Sequence, residues 1–299
     1  MILNKSRLYL VDSSIYIYQG WQHQPDTLKN RHNQQNNAFI GFTDMVYQLL
    51  TTDSPEFLVF AFDQSRDKSF RKLLYPEYKS HRRSTPDALK PQFDWCRLWV
   101  EALGINCVSS KIYEADDLIG TMATLHRNES LSIVFLTADK DLAQIVRPDD
   151  LWWHYGSKSQ LSYNRIKKKF GVKAELIADQ LALAGDKTDN IPGIPFIGMR
   201  TAARLLNKFG SLKNTLQNLE QVKCMKFRHA NQVAQSLISN QSILEISKKL
   251  TTIVCNIAEM HEISIVRNSP DLSTLWQLIN EHNMDEQRQQ RWLTLLEKQ

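Results

Sequence analysis

Residues 132–141 read SIVFLTADKD, and the reading of this stretch decides the rest. Ile133 to Leu136 form a short apolar run of the kind found in strands buried on both faces. The run ends in two carboxylates, Asp139 and Asp141. Working outward, the same pattern recurs three times. RLYLVD (7–12) ends at Asp12 and EFLVFAFD (56–63) ends at Asp63. GINCVSS (104–110) leads into YEADDLIG (113–120), which carries Glu114, Asp116 and Asp117. Helix-period segments separate these runs, as in an α/β unit with a mainly parallel sheet flanked by helices over roughly the first 155 residues.

Each acid has an ordinary explanation as a turn residue or helix cap. Glu114, Asp116 and Asp117 precede Leu118, Ile119, Met122 and Leu125 at helical spacing. Acids in a first helical turn are stabilising by about 0.3–1 kcal/mol each. Four strands ending in acid point further, because the carboxyl edge of an open parallel sheet is where ligands bind. Two like charges about 4 Å apart repel by about 1 kcal/mol in water and about 4 kcal/mol at an effective dielectric of 20. A convergence of seven therefore needs protonation or divalent cations, and all-oxygen ligation favours Mg²⁺ or Mn²⁺ over zinc. On this ground the 114–117 triplet reads as metal ligation rather than capping.

Composition narrows the class. The 299 residues are 42% hydrophobic and 23% charged, ordinary for a globular protein. No apolar run reaches the ~20 residues that span a bilayer, and the N-terminus lacks the apolar core of a secretory signal. The expected compartment is the cytoplasm. Cys96, Cys107, Cys224 and Cys255 form no C-x-x-C pair and show no zinc spacing. With the seven acids, Asp186 and Asp189 set aside, 23 of the 32 acids remain against 37 Lys and Arg. A basic surface around an acidic pocket fits phosphodiester chemistry on nucleic acid.

The cations cluster. RDKSFRKLLYPEYKSHRRSTPDALKP (66–91) interleaves Arg66, Lys68, Arg71, Lys72, Lys79, Arg82 and Arg83 with Phe70, Tyr75 and Tyr78, directly after Asp63. RIKKKFG (165–171) precedes AELIADQLALAGDKTDNIPGIPFIGMRTAARLLNKFG (174–210), two helical runs joined by a Pro/Gly turn. Such a turn presents backbone N–H groups to phosphate. From 211 onward the chain reads as helices, the longest over 232–253, with 271–299 also helical. The polar 21–39 segment reads as a mobile loop. No Walker loop, dinucleotide fingerprint or nucleophile elbow occurs.

Together LVDSS, FAFD, FRKLLYPEYKSHR, YEADDLIG, TADKDLAQ and LALAGDKTDNIPGIP resemble the 5′-nuclease (flap endonuclease) family, above all the N-terminal 5′→3′ exonuclease domain of bacterial DNA polymerase I. The likeness runs from about residue 7 to 210 and weakens beyond. It implies a PIN/resolvase-like catalytic domain (1–170) and a helical DNA-binding domain (171–299). It makes about 66–91 a helical arch and about 185–208 a helix–three-turn–helix. Asp12, Asp63, Glu114, Asp116 and Asp117 would serve one metal, and Asp139, Asp141, Asp186 and Asp189 a second. The ions would be two Mg²⁺, replaceable by Mn²⁺, with K⁺ at the hairpin. Lys79 and Arg82 would act on the scissile phosphate. Arg71, Tyr78, Arg83, Gly193, Gly198, Arg200 and Thr201 would join them in contacting DNA.

Three departures accompany the likeness. Tyr18-Gln19 stands where the family carries Tyr-Arg, so one phosphate contact is expected to be missing. Phe196 and Arg200 replace a glycine and a lysine of the hairpin, which places its turn and cation site in question. Asn37-Ala38 replaces Gly-Ala at a helix start.

The implied activity is 5′→3′ exonuclease or flap endonuclease on DNA with 5′ flaps, nicks or 5′ ends, leaving 5′-phosphate and 3′-hydroxyl. The initial Met and the tail favour a standalone enzyme over a fragment cut from a polymerase, and a monomer is expected. Two rival readings are a non-catalytic binder of branched DNA and a nuclease directed at RNA or RNA–DNA hybrids.

Overall fold

A computed structural model describes residues 5–64, 68–157 and 160–297. Six strands, β1 (Ser6–Asp12), β2 (Phe57–Asp63), β3 (Asn106–Ser110), β4 (Leu131–Leu136), β5 (Leu151–Trp153) and β6 (Gln160–Ser162), form one sheet in the order β3-β2-β1-β4-β5-β6. All neighbours are parallel except β5 and β6. The apolar runs follow from burial on both faces. Leu8, Leu10, Val59, Ala61, Ile133 and Phe135 point into one core, and Tyr9, Val11, Leu58, Phe60, Val134 and Leu136 into the other.

The helices are α1 (Ser13–His23), α2 (Asn37–Gln48), α3 (Phe70–Leu74), α4 (Lys90–Ala102), α5 (Ala115–His126), α6 (Tyr163–Phe170), α7 (Ile177–Ala184), α8 (Met199–Phe209), α9 (Leu212–Gln217), α10 (Leu219–Lys223), α11 (Ala230–Ser239), α12 (Gln241–Thr251), α13 (Leu272–Glu281) and α14 (Glu286–Leu296). The first core is completed by α5, α7 and α8, the second by α1, α2 and α4. The expected long helix over 232–253 is two helices, because the backbone breaks at Asn240 (φ −119°, ψ 32°).

The tail forms two helices, α13 and α14, over its described part, 271–297, as its pattern predicts, and returns to the α/β layer. Leu275, Leu278, Ile279 and Trp292 join the second core, where the Trp292 ring meets Trp99 edge-on at 4.9 Å. Arg288 and Arg291 both pair with Asp44 on α2. The tail also orders the polar segment read as a mobile loop. Arg31 N–H donates to the Glu281 carbonyl (2.8 Å) and Asn36 Nδ2 to that of His282 (2.7 Å). Within the segment, Asn30 Oδ1 accepts from the His32 and Gln34 amides, an Asx-type turn.

Candidate metal centre and nucleic-acid interface

The sheet order determines where the acids go. Asp12 and Asp63 are the last residues of β1 and β2, β3 leads to Glu114 and Asp116 at the start of α5, and Asp139 follows β4. These four strands are consecutive in the sheet. Asp12, Asp63, Glu114, Asp116 and Asp139 accordingly line one cavity of about 320 Å³.

Four of the nine acids are neutralised by the chain's own cations. Asp117, fully buried, takes a bidentate pair from Arg71 (2.6 and 2.7 Å) and accepts from the amides of Val254 (2.9 Å) and Glu114 (3.1 Å). Its oxygens are thereby committed, and the bond from Glu114 N–H is a helix-capping contact. For Asp117 the capping role excluded in favour of metal ligation is present after all. Glu114 accepts from Tyr78 OH (2.9 Å) and Lys79 Nζ (3.1 Å). Asp189 accepts from Arg82 and Tyr78, and Asp186 pairs with Lys140 at 2.8 Å. Burial pushes the Asp189 carboxyl up, but Lys79 and Arg82 outweigh it and hold it below the usual range.

The other five acids make no ion pair among the described residues. Asp63 accepts from Ser14 Oγ and the Ala115 amide, both 2.9 Å. Asp12 accepts from Thr137 Oγ1 (3.1 Å), and burial, then Asp63 and Asp139, pushes its carboxyl up to about 8. Burial, then Asp139 and Asp12, raises Asp116 well above the carboxylate range. Asp139 is raised chiefly by burial, and Asp141 by burial and then Asp139. Asp141 Oδ1 is buried with no hydrogen-bond partner among the described residues.

Among the described residues, no three acidic, histidine or cysteine side chains converge in a geometry that could hold a metal ion. The donor chemistry nevertheless fits one. The candidate donors are hard oxygens, one buried carboxylate oxygen has no partner among the described residues, and burial with the neighbouring carboxylates raises Asp12 and Asp116 by more than Lys79 lowers them. Asp12, Asp63, Asp116, Asp139 and Asp141 are the residues available for that role. Glu114, Asp186 and Asp189 would first have to exchange Lys79, Lys140 and Arg82.

The 66–91 segment departs from a helical arch. Arg66 lies outside the described residues. The remainder holds one short helix, α3, followed by turns, since Pro76 and Pro86 interrupt any longer one. The segment is fastened to the crevice, with Lys79 (φ 53°) donating its N–H to the Asp189 carbonyl. Two residues expected to contact DNA are engaged within the chain. Arg71 is 3% exposed and its remaining N–H groups bond the Leu250 and Thr252 carbonyls, because a buried guanidinium must fill its donors. Tyr78 is also 3% exposed, with its hydroxyl spent on Glu114 and Asp189. Lys79 and Arg82 stand at the cavity wall. Arg83 is exposed and lines an adjoining cavity of about 800 Å³ with Lys72, Lys90 and Arg97.

The hairpin between α7 and α8 forms despite Phe196, which takes φ 67°. Gly185 and Gly193 permit it: a Cβ on Gly193 would lie 2.4 Å from the Ala184 carbonyl oxygen, and one on Gly185 2.5 Å from the Gly193 nitrogen. Gly193 is thus a packing residue. Gly198 caps α8 in open space, followed by exposed Arg200 and half-buried Thr201. Arg200, Arg204 and Lys208 recur every four residues, all exposed, as a cationic stripe along α8.

Sequence reasoning missed Ser14, Thr137 and Lys140, which bond Asp63, Asp12 and Asp186. Each lies within two residues of a strand-end acid, and that adjacency was the available signal. Gln19, singled out in the sequence for standing where the family carries arginine, lines the acidic cavity and hydrogen-bonds His154.

A carboxylate-rich crevice at the carboxyl edge of a parallel sheet, beside a helical hairpin and a cationic stripe, defines a phosphodiesterase-type architecture. Family comparison agrees. Residues 7–171 match the 5′-3′ exonuclease N-terminal resolvase-like domain and 172–271 the 5′-3′ exonuclease C-terminal SAM fold. The chain is 33% identical over 278 residues to a 5′-3′ exonuclease of Aquifex aeolicus, covering 93% of this chain and 92% of that one. It is 34% identical over 259 residues to a 5′-3′ exonuclease of Buchnera aphidicola, covering 86% and 85%. DNA polymerase I of Mycobacterium bovis is 34% identical over 259 residues, 85% of this chain but only 28% of that protein.

The chain belongs to the 5′-3′ exonuclease family, hydrolases acting on DNA. The T5 5′-exonuclease, solved with divalent zinc, shares the fold at TM-score 0.65 and 16% identity, covering 92% of this chain and 99% of that one. The catalytic core of Rad2 with DNA substrate shares it at 0.64 and 19%, covering 98% and 93%.

Proposed function

We propose that this protein is a divalent-metal-dependent 5′→3′ exonuclease and 5′-flap endonuclease on DNA, leaving 5′-phosphate and 3′-hydroxyl ends. The observation that carries the reading is the group Asp12, Asp116, Asp139 and Asp141, left without a cation in a chain that supplies cations to the acids beside them. Two Mg²⁺ or Mn²⁺ ions held by the crevice carboxylates would supply Lewis-acid chemistry. Lys79 and Arg82, now on Glu114 and Asp189, would donate to the oxygens of the scissile phosphate as its charge grows. Arg83 would meet the flap strand. Gly198, Arg200 and Thr201, at the N-terminus of α8, would meet duplex phosphate, with K⁺ held at the hairpin. In this reading residues 1–170 form the catalytic unit and 171–299 the DNA-gripping unit, acting as a cytoplasmic monomer.

The test is cleavage of an end-labelled 5′-flap duplex with Mg²⁺, with Mn²⁺ and with EDTA. Products near the flap junction, absent with EDTA and absent from Asp116→Asn, are expected. Flap binding without product under either metal would overturn the catalytic reading in favour of a branched-DNA binder. Cleavage of only the RNA strand of a hybrid flap would reassign the substrate.

A further inference from the structure

Phe196 is held against local preference twice over. Its φ of 67° lies in the left-handed region, which bulky L-residues rarely adopt. Its ring is also 57% exposed, so burial does not offset that conformation. The ring lies against His229, with centroids 5.7 Å apart and planes 29° from parallel. His229 is itself exposed, at φ 67° before α11. Two distant loops thus present a stacked aromatic pair outward from the α7–α8 hairpin.

The charge around the pair has one sign. Arg200 is four residues from Phe196, Lys226 and Arg228 precede His229, and all three are exposed. Asp179, Asp186 and Asp189 of the same region are buried, and exposed Glu220 is paired with Lys223. An aromatic face bordered by unopposed cations matches a nucleobase between two phosphates, since every base has a π-face and stacking needs no particular sequence.

We propose that the Phe196–His229 pair is a stacking platform for an unpaired or terminal nucleobase of the DNA substrate, with Arg200 and Arg228 meeting the flanking phosphates. The inference rests on the DNA-directed reading above and adds to it a base contact on a hairpin otherwise suited to backbone.

Strain and function predict opposite signs for one substitution, which supplies the test. Phe196→Gly relieves the backbone and should leave the melting temperature equal or higher. It should weaken binding of a catalytically silenced flap complex, measured in Ca²⁺, roughly 10-fold. Phe196→Asn, which tolerates the same φ without an aromatic ring, should match it, and Phe196→Trp should bind as wild type does. A scan of single abasic sites through the flap junction should find one position that weakens the wild type by a similar factor and leaves Phe196→Gly unchanged. Equal binding by Phe196→Gly and wild type, or equal sensitivity of both to every abasic site, overturns the platform. Failure of the wild type to bind any flap or duplex DNA would instead overturn the DNA-directed reading itself.

Discussion

Two halves of the acidic crevice solve one electrostatic problem in opposite ways. Glu114, Asp117, Asp186 and Asp189 are closed onto Arg71, Lys79, Arg82 and Lys140. Asp12, Asp116, Asp139 and Asp141 face one another with no such partner among the described residues, and their carboxyls are pushed up toward neutrality. The first half is a self-sufficient salt-bridge network that ties α3, α5, the hairpin and the loop after α12 together. The second is stable only protonated or with cations from outside. A fold needing acids merely for cohesion would pair them all.

Substitutions can break this contrast. The largest effect is expected at Asp116→Asn, which should lower flap cleavage by about 10³-fold, the scale of a lost preorganised charge. Thermal unfolding should show no loss of stability, because burial and the neighbouring Asp139 and Asp12 already disfavour the charged form of this carboxyl. Arg71→Ala should do the reverse. By leaving Asp117 buried and unpaired it should cost about 3–4 kcal/mol in denaturant unfolding. Unchanged stability would dissolve the distinction between the halves.

Divalent ions should sharpen it. At 100-fold excess over the dissociation constant, Mg²⁺ or Mn²⁺ should stabilise the protein by about 2.7 kcal/mol. Calorimetry should show that increment lost in Asp12→Asn/Asp139→Asn.

The smallest effect lies away from the crevice, at His282. Its ring sits between Phe39 and Trp95, both nitrogens lack hydrogen-bond partners among the described residues, and burial, with His32 nearby, holds its pKa down to about 4. The unfolded chain therefore takes up a proton first as pH falls. The neutral ring's contribution is complete above about pH 6.5 and lost progressively down to about 4, by about 1–3 kcal/mol. His282→Phe should flatten that slope in urea titrations at stepped pH.

Much of the fold was legible because its signals are local. The apolar runs of β1, β2 and β4 need only their own residues to announce burial on both faces, and the acids at their ends follow directly. The stops at Gly185 and Gly210 are likewise local, since each takes a positive φ that ends its helix. Long-range pairing was not legible. Arg71 and Tyr78 look like surface cations and aromatics among others, and only the approach of Leu250 from 179 positions away and Asp189 from 111 turns them inward. The 66–91 segment is a related case. Its prolines, legible in the sequence, limit it to one short helix, whereas the pairing of Arg71, Lys79 and Arg82 with distant carboxylates was not legible.

By itself, then, the sequence determined the α/β layer, the crevice edge and the roll of acids there, because hydrophobic period and strand-end position act over a few residues. Tertiary structure alone decided which of those acids receive a cation and which stay bare. Charge pairing is a contest among all groups within a few ångströms, and the chain brings those groups together from almost its whole length.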